Sequence, residues 1–390
     1  MDSVALLCSE SPISLAVMRE IGATGVRVYP IVRRQSSFLG SSRFCFEALT
    51  RPNGDLKTWL PALLQKHGIT RVMAIGEADL LSLAEMKEAG TSLSIAAPSV
   101  DQLKSVLDKE ALLERAKACG VPVPKSWQPK DSTFRIPDGV DVNFPLVAKW
   151  GDPLAVAERL AQHGIEPAKV AYIASSEELG SYLAQFEPAG VYPLIQEFCS
   201  GTGLGQMFHA VEGKITMRFQ HLRLREWPLT GGVSSLCETV SLDQHADLRA
   251  KSEVLLKNLN WTGPAMVEYR WDAETGQARL MEINGRFWGS LPLASAAGVH
   301  FGLETYRYAF QEWSSSEEQS AYPYRIGRFM APEVKNLRDV WKGHESIPAK
   351  LGFTAGFGAR FLDPRVRYYV SKVSDLGPFF AELKNLISPR

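Results

Sequence analysis

The sequence predicts a mixed α/β and α+β protein: an amino-terminal parallel α/β domain over residues 1–98, then a core of two α+β subdomains. Three observations carry that expectation. Short apolar runs alternate with amphipathic stretches through the first hundred residues, the rhythm of strand–helix units feeding a parallel sheet. Further along, runs of alternating polarity joined by short polar loops read as antiparallel strands. Between the two regimes, Gly120-Val121-Pro122-Val123-Pro124 sustains no helix and marks a boundary.

In chain order, residues 4–7 are an apolar strand, and Ser9-Glu10-Ser11-Pro12 opens a helix whose apolar face is Leu15, Val17, Met18 and Ile21. Gly22 and Gly25 end it ahead of a strand over 26–32. A helix over 56–67, a strand over 71–75, a helix over 79–89 and a strand over 93–97 continue the alternation. One long amphipathic helix over 99–119 leads into the glycine-proline break. Beyond it, residues 144–150 make a compact strand with Lys149 near its end, and strands follow over 191–198, 206–211 and 214–225 and in a hairpin over 266–284. The core is placed at 99–320, with a small subdomain at about 125–200 and an antiparallel sheet at about 201–320; residues 321–390 are an extension packing on it.

The chain has 390 residues, 45% hydrophobic and 22% charged, with formal net charge zero. That is a globular composition without the basic footprint of a nucleic-acid binder or of attachment to an anionic membrane. Small-molecule chemistry is the expectation, with no nucleic-acid and no membrane partner. Cys8, Cys45, Cys119, Cys199 and Cys237 are scattered, odd in number and without zinc or disulfide spacing, which suits a reducing cytoplasm. No basic region precedes the first apolar stretch, and no uncharged apolar run is long enough for a bilayer.

Chemistry concentrates in the hairpin. Met266-Val267-Glu268-Tyr269-Arg270-Trp271 and Arg279-Leu280-Met281-Glu282-Ile283-Asn284 flank the polar loop Asp272-Ala273-Glu274-Thr275-Gly276. Alternation puts Glu282 and Asn284 on one face, and pairing Trp271 with Arg279 sets Glu268 opposite Glu282. Opposed carboxylates destabilise a sheet unless something neutralises them, and hard oxygen ligands suit Mg²⁺ shared with phosphates. The pattern alone equally admits a solvated hairpin. Arg286, just past the strand, offers a cationic fork to a phosphate or acyl phosphate. Lys149 ends an apolar strand, where an unpaired ammonium is costly and a phosphate partner offsets that cost. On 216–226, Phe219, His221, Arg223 and Arg225 are expected on one face, the two arginines as a carboxylate or phosphate clamp and His221 as a base or phosphate contact.

Glu282-Ile283-Asn284-Gly285-Arg286-Phe287-Trp288-Gly289-Ser290 resembles the metal-binding signature of the ATP-grasp superfamily, nearest to its carboxylate–amine ligase and carbamoyl-phosphate-synthase-like members. The likeness extends over about 108–302 and implies an ATP-grasp fold of two α+β subdomains, the smaller one a lid, behind an α/β domain of the type that precedes this core. It implies ATP and Mg²⁺ (or Mn²⁺) as cofactors, Glu268, Glu282 and Asn284 as metal ligands, and Arg286 at the γ-phosphate. Lys109, in Leu107-Asp108-Lys109-Glu110, matches the phosphate lysine at a helix start, and Lys149 a second one. Leu194-Ile195-Gln196-Glu197-Phe198-Cys199 resembles the hinge whose backbone binds adenine, with Glu197, Phe198 and Cys199 as the hinge residues.

There are two departures. Gly201-Thr202-Gly203-Leu204-Gly205 stands where many members carry an acidic ribose ligand, leaving that contact to Gln196 or Glu197. Trp150-Gly151-Asp152-Pro153 follows Lys149 where members usually have a glycine-rich phosphate loop, so the loop is built differently or comes from residues 201–205.

The implied activity is ligation of a small-molecule carboxylate and an amine through an acyl phosphate, with Arg223 and Arg225 holding the carboxylate. The alternatives are a carboxylase or carbamoyl-phosphate type of enzyme, or a nucleotide-binding scaffold without turnover. The likeness also makes a homodimer an expectation.

Overall fold

A computed structural model of the chain describes residues 2–33, 38–140, 142–151, 153–166, 168, 170–229, 231–313 and 321–387. Contacts divide it into two compact units: residues 1–103, 204–266 and 284–390 in one, 104–203 and 267–283 in the other.

The larger unit begins as the alternation predicts, with β1 (Ser3–Leu7), α1 (Pro12–Gly22), β2 (Arg27–Val32), β3 (Leu49–Thr50), α2 (Leu56–Lys66), β4 (Arg71–Ala74), α3 (Glu77–Glu88) and β5 (Ser94–Ala96). The strands form a parallel sheet in the order β3-β2-β1-β4-β5. Helices on a parallel sheet bury both faces of its central strand, which is why Val4, Ala5, Leu6 and Leu7 are all apolar and fully inaccessible. Pro12 opens α1, where its missing N–H costs nothing.

The expected single helix over 99–119 is two, α4 (Val100–Leu107) and α5 (Lys109–Ala118). Asp108 leaves helical geometry and its carboxylate accepts a hydrogen bond from Ala111 N at 3.1 Å, because aspartate is worth more as an N-cap than inside a helix. Lys109 is thereby the first residue of a helix.

The smaller unit continues with β6 (Ser126–Trp127), β7 (Leu146–Lys149), α6 (Pro153–Gln162), β8 (Ala171–Ile173), α7 (Ser176–Ala184) and β9 (Leu194–Glu197). Its antiparallel sheet runs β6-β9-β7-β8 over a core of Leu146, Ala148, Ile173, Leu179, Leu183 and Ile195.

The chain goes on through β10 (Thr202–Val211), β11 (Lys214–Trp227), β12 (Val233–Thr239), α8 (Ala246–Asn258), β13 (Gly263–Trp271) and β14 (Ala278–Asn284). It ends with α9 (Leu291–Ala296), α10 (Phe301–Phe310), β15 (Ile326–Arg328), α11 (Met330–Lys342), α12 (Ile347–Ala359), β16 (Val366–Tyr368) and α13 (Gly377–Ile387). In the larger unit β10-β11-β12-β15-β16 are successive neighbours in one sheet, so residues expected only as an extension supply two of its strands. In the smaller unit the end of β13 turns back into β14, closed by Asp272 N donating to Gln277 O at 2.8 Å.

The glycine run at 201–205, one of the two sources offered for the phosphate loop, is strand β10 from Thr202 on. Gly201, at φ +95°, lies so near the Trp271 carbonyl that a β-carbon would sit 2.2 Å from its oxygen. Asp152, in the segment expected to replace that loop, lies outside the described residues. Among the described residues no helix is long and apolar enough to cross a membrane.

Candidate functional site

Within the smaller unit, four predicted site residues share one electrostatic environment. Lys109 heads α5 and its ammonium donates to Trp150 O at 3.2 Å. Lys149 ends β7. Burial first, and the like charge of Lys109 second, pull its ammonium down from the usual lysine range to about 8, while Glu282, Cys199 and Glu268 pull the other way without prevailing. Glu268 on β13 and Glu282 on β14 thus both act on the same ammonium. Asn284 ends β14 two residues after Glu282, hence on the same face of that strand.

The hinge segment closes β9. Glu197 N donates to Lys125 O at 2.9 Å, Lys125 N donates to the Glu197 carboxylate at 3.0 Å, and Arg279 lies 3.8 Å from that carboxylate. Gln196 is buried and donates to Ser126 Oγ at 2.8 Å. Both side chains reserved for a ribose contact therefore have partners within the unit. Phe198 is 46% exposed and meets Tyr172 edge-on at 6.1 Å, leaving an aromatic face open at the strand end. The Cys199 thiol is pushed up to about 11, by burial first and then by Glu197. The sequence marks Arg279 only as a register partner of Trp271; its place beside Glu197 depends on how the hairpin packs.

The larger unit holds the other candidates, and on β11 the strict alternation expected of them is interrupted. Arg223 pairs with Cys237 of β12 and Arg225 with Leu236, so a bulge at Leu224 breaks the alternation. Arg223 bonds Glu226 at 2.7 Å, and Arg225 bonds Glu333 at 2.8 Å with its guanidinium 4.4 Å from the centre of the Phe353 ring. Each arginine thus has a carboxylate partner of its own.

His221 is 1% exposed and shares a 2.7 Å hydrogen bond with Ser290 Oγ. Burial, and then Arg223, pull its imidazole down to about 3, so it is neutral at ordinary pH. Arg286 lies 3.5 Å from Glu77 at the start of α3 and donates to Phe287 O at 3.1 Å.

Glu333 and Arg328 were also missed. Arg328 is fully buried, 4.3 and 4.5 Å from the centres of the Phe357 and Phe361 rings, with Nε 3.6 Å from Glu333. No local motif marks either residue.

Among the described residues no three His, Cys, Asp or Glu side chains form a ready-made metal cluster. Two lysines and two carboxylates influencing one another can be neutralised together by a polyanion carrying a divalent cation.

No protein-family model and no curated protein matches the sequence. Solved structures do. The biotin carboxylase domain of Hydrogenobacter thermophilus 2-oxoglutarate carboxylase, solved with MgADP, ADP and bicarbonate, is 16% identical with TM-score 0.64, over 83% of this chain and 73% of that one. L-Amino acid ligase from Bacillus licheniformis is 14% identical with TM-score 0.62, over 84% and 79%. N5-Carboxyaminoimidazole synthetase from Staphylococcus aureus is 12% identical with TM-score 0.60, over 83% and 81%. At such identities the likeness is one of fold, and the fold is the one that residues 282–290 resemble: the chain has the ATP-grasp architecture behind an amino-terminal α/β domain.

Proposed function

We propose that this chain is an ATP-dependent ligase that activates a small carboxylate as an acyl phosphate and joins it to an amine. The observation that carries the reading is Lys149: a half-buried ammonium, depressed first by desolvation and then by Lys109, and insufficiently supported by Glu282 and Glu268. A nucleotide triphosphate with Mg²⁺ fits that imbalance, since phosphates offset the lysines and the metal offsets the carboxylates. Glu268, Glu282 and Asn284 would hold the metal through hard oxygen atoms, and the metal supplies charge neutralisation on the transferring phosphoryl group.

Lys109 and Lys149 hold the phosphates, and the open face of Phe198 offers a surface for adenine. Arg286, two residues beyond β14, is the cation that the resemblance of residues 282–290 assigns to the charge that develops as a carboxylate oxygen bonds to the γ-phosphorus and the bond to the ADP oxygen breaks. The amine nitrogen then bonds to the acyl carbon, phosphate leaves, and an amide remains, with no covalent enzyme intermediate. The neutral, buried His221 supports Ser290 rather than serving as a base.

The biotin carboxylase neighbour, solved with bicarbonate, supports a second reading in which bicarbonate is the carboxylate. One experiment separates these: ADP release from MgATP with amino acids, other carboxylic acids and bicarbonate, each with and without an amine. Release stimulated by an acid–amine pair is the expected result. Release with bicarbonate alone favours the second reading, and nucleotide binding without release under any condition overturns both.

A further inference from the structure

The larger unit contains a cavity of about 280 Å³ outside the carboxyl ends of β4 and β5, the end of a parallel sheet at which ligands bind in open α/β folds. Its floor is apolar and buried: Met73, Leu80, Ile95 and Phe287 are each less than 8% exposed. Ala309 of α10 contributes to one wall. The two lining threonines have their hydroxyls engaged, Thr305 on Phe301 O and Thr262 with Glu212 N.

The ionic character of the lining is one-sided. It includes the cations Arg286 and Lys87 and no aspartate or glutamate among the described residues. Lys87 is anchored by a 3.0 Å bond to Ala97 O. Glu77, the partner of Arg286, lies outside the lining at 3.5 Å, long enough for a better-placed anion to displace it. A dry apolar cavity of about 150 Å³ accommodates benzene, so this one has room for an arylalkyl group.

We propose that the cavity binds the apolar body of a small carboxylic acid whose carboxyl group lies at Arg286. This names a substrate class for the ligase reading above, in which Arg286 meets the acyl phosphate, and so it rests on that reading for its function but not for its binding. An amine substrate would put a cation beside two cations, and a polar acid such as glutamate would bury a second charge against Met73 and Phe287. The acid is therefore aliphatic or aromatic beyond its carboxyl group. Each methylene it buries should raise affinity about fourfold.

The test is calorimetric binding of propanoate, pentanoate and 3-phenylpropanoate to the full chain, followed by ADP release with hydroxylamine as the amine. Affinity should climb along the series, with 3-phenylpropanoate at least tenfold above propanoate. Ala309→Phe, which fills the cavity from α10, should cost 3-phenylpropanoate at least tenfold. Arg286→Gln should cost it about tenfold while leaving 3-phenylpropan-1-ol unchanged, which also guards against a variant that merely fails to fold. Equal affinity for propanoate and 3-phenylpropanoate overturns the inference, as does unaltered binding in both variants. Size-graded binding without ADP release upholds the cavity and sinks the ligase, whereas ADP release indifferent to the size of the acid does the reverse.

Discussion

Lys149 in the smaller unit and Arg225 in the larger both lie largely out of water near carboxylates, yet their charges are handled differently. Arg225 has a fully buried partner, Glu333, at 2.8 Å; Ser235 Oγ donates to the same carboxylate, and Phe353 covers the guanidinium. That cation is neutralised inside the fold. Lys149 instead has a second lysine as its strongest charged neighbour, and two glutamates fail to restore its ordinary basicity. Folding has left that charge incompletely compensated, which is what a site for an external anion requires, whereas the arginine cluster is a structural fastening.

Four substitutions would break or sharpen this contrast. The largest effect is expected from Glu282→Gln, which removes the charge of a carboxylate proposed to hold the metal and should lower ADP release about a thousandfold with an unchanged circular-dichroism spectrum. Wild-type release would refute a metal role. Glu333→Ala should instead cost about 3 kcal/mol or more of folding free energy in urea titration, since it leaves buried guanidinium charge unpaired; a stability loss below about 1 kcal/mol would mean that water reaches the cluster.

Lys149→Gln should weaken ADP binding about ten- to a hundredfold. In the wild type only the protonated lysine attracts phosphate, so ADP affinity should decline above about pH 8 from its value near pH 7, where the terminal phosphate is still largely ionised, and the variant should lose this decline. For stability the sign is opposite: the folded-state value lies below the unfolded 10.5, so stability rises as pH climbs from about 8 toward 10.5. The smallest effect is expected from His221→Asn: no inflection near neutral pH should vanish from the rate profile, because the imidazole is already neutral there.

The parallel sheet was legible because its strands are short, apolar and punctuated by glycine, proline and serine, and the hairpin because it alternates cleanly. Asp108 was misread because it lies within an amphipathic stretch that masks a cap, although the cap itself is a local signal. The bulge at Leu224 was hidden for a different reason. Nothing near Arg223 or Arg225 announces it, and Glu333, which fixes Arg225, lies 108 residues away. Partners that distant are set by the packing of α11 against β11 and β12, which no periodicity records. Lysines at the start of a helix and the end of a strand can be found from sequence, while the fate of a charge cannot.

Gly201 has an evolutionary corollary. With φ at +95° and the Trp271 oxygen 2.2 Å from where a β-carbon would lie, this junction tolerates no side chain without moving the backbone across from it. Substrate preference can drift through changes in cavity walls and surface loops, but descendants of this chain inherit an immovable pin there. In a saturation-mutagenesis library every replacement at 201 should be depleted, whereas Gly276, whose position has open space around it, should forgive asparagine.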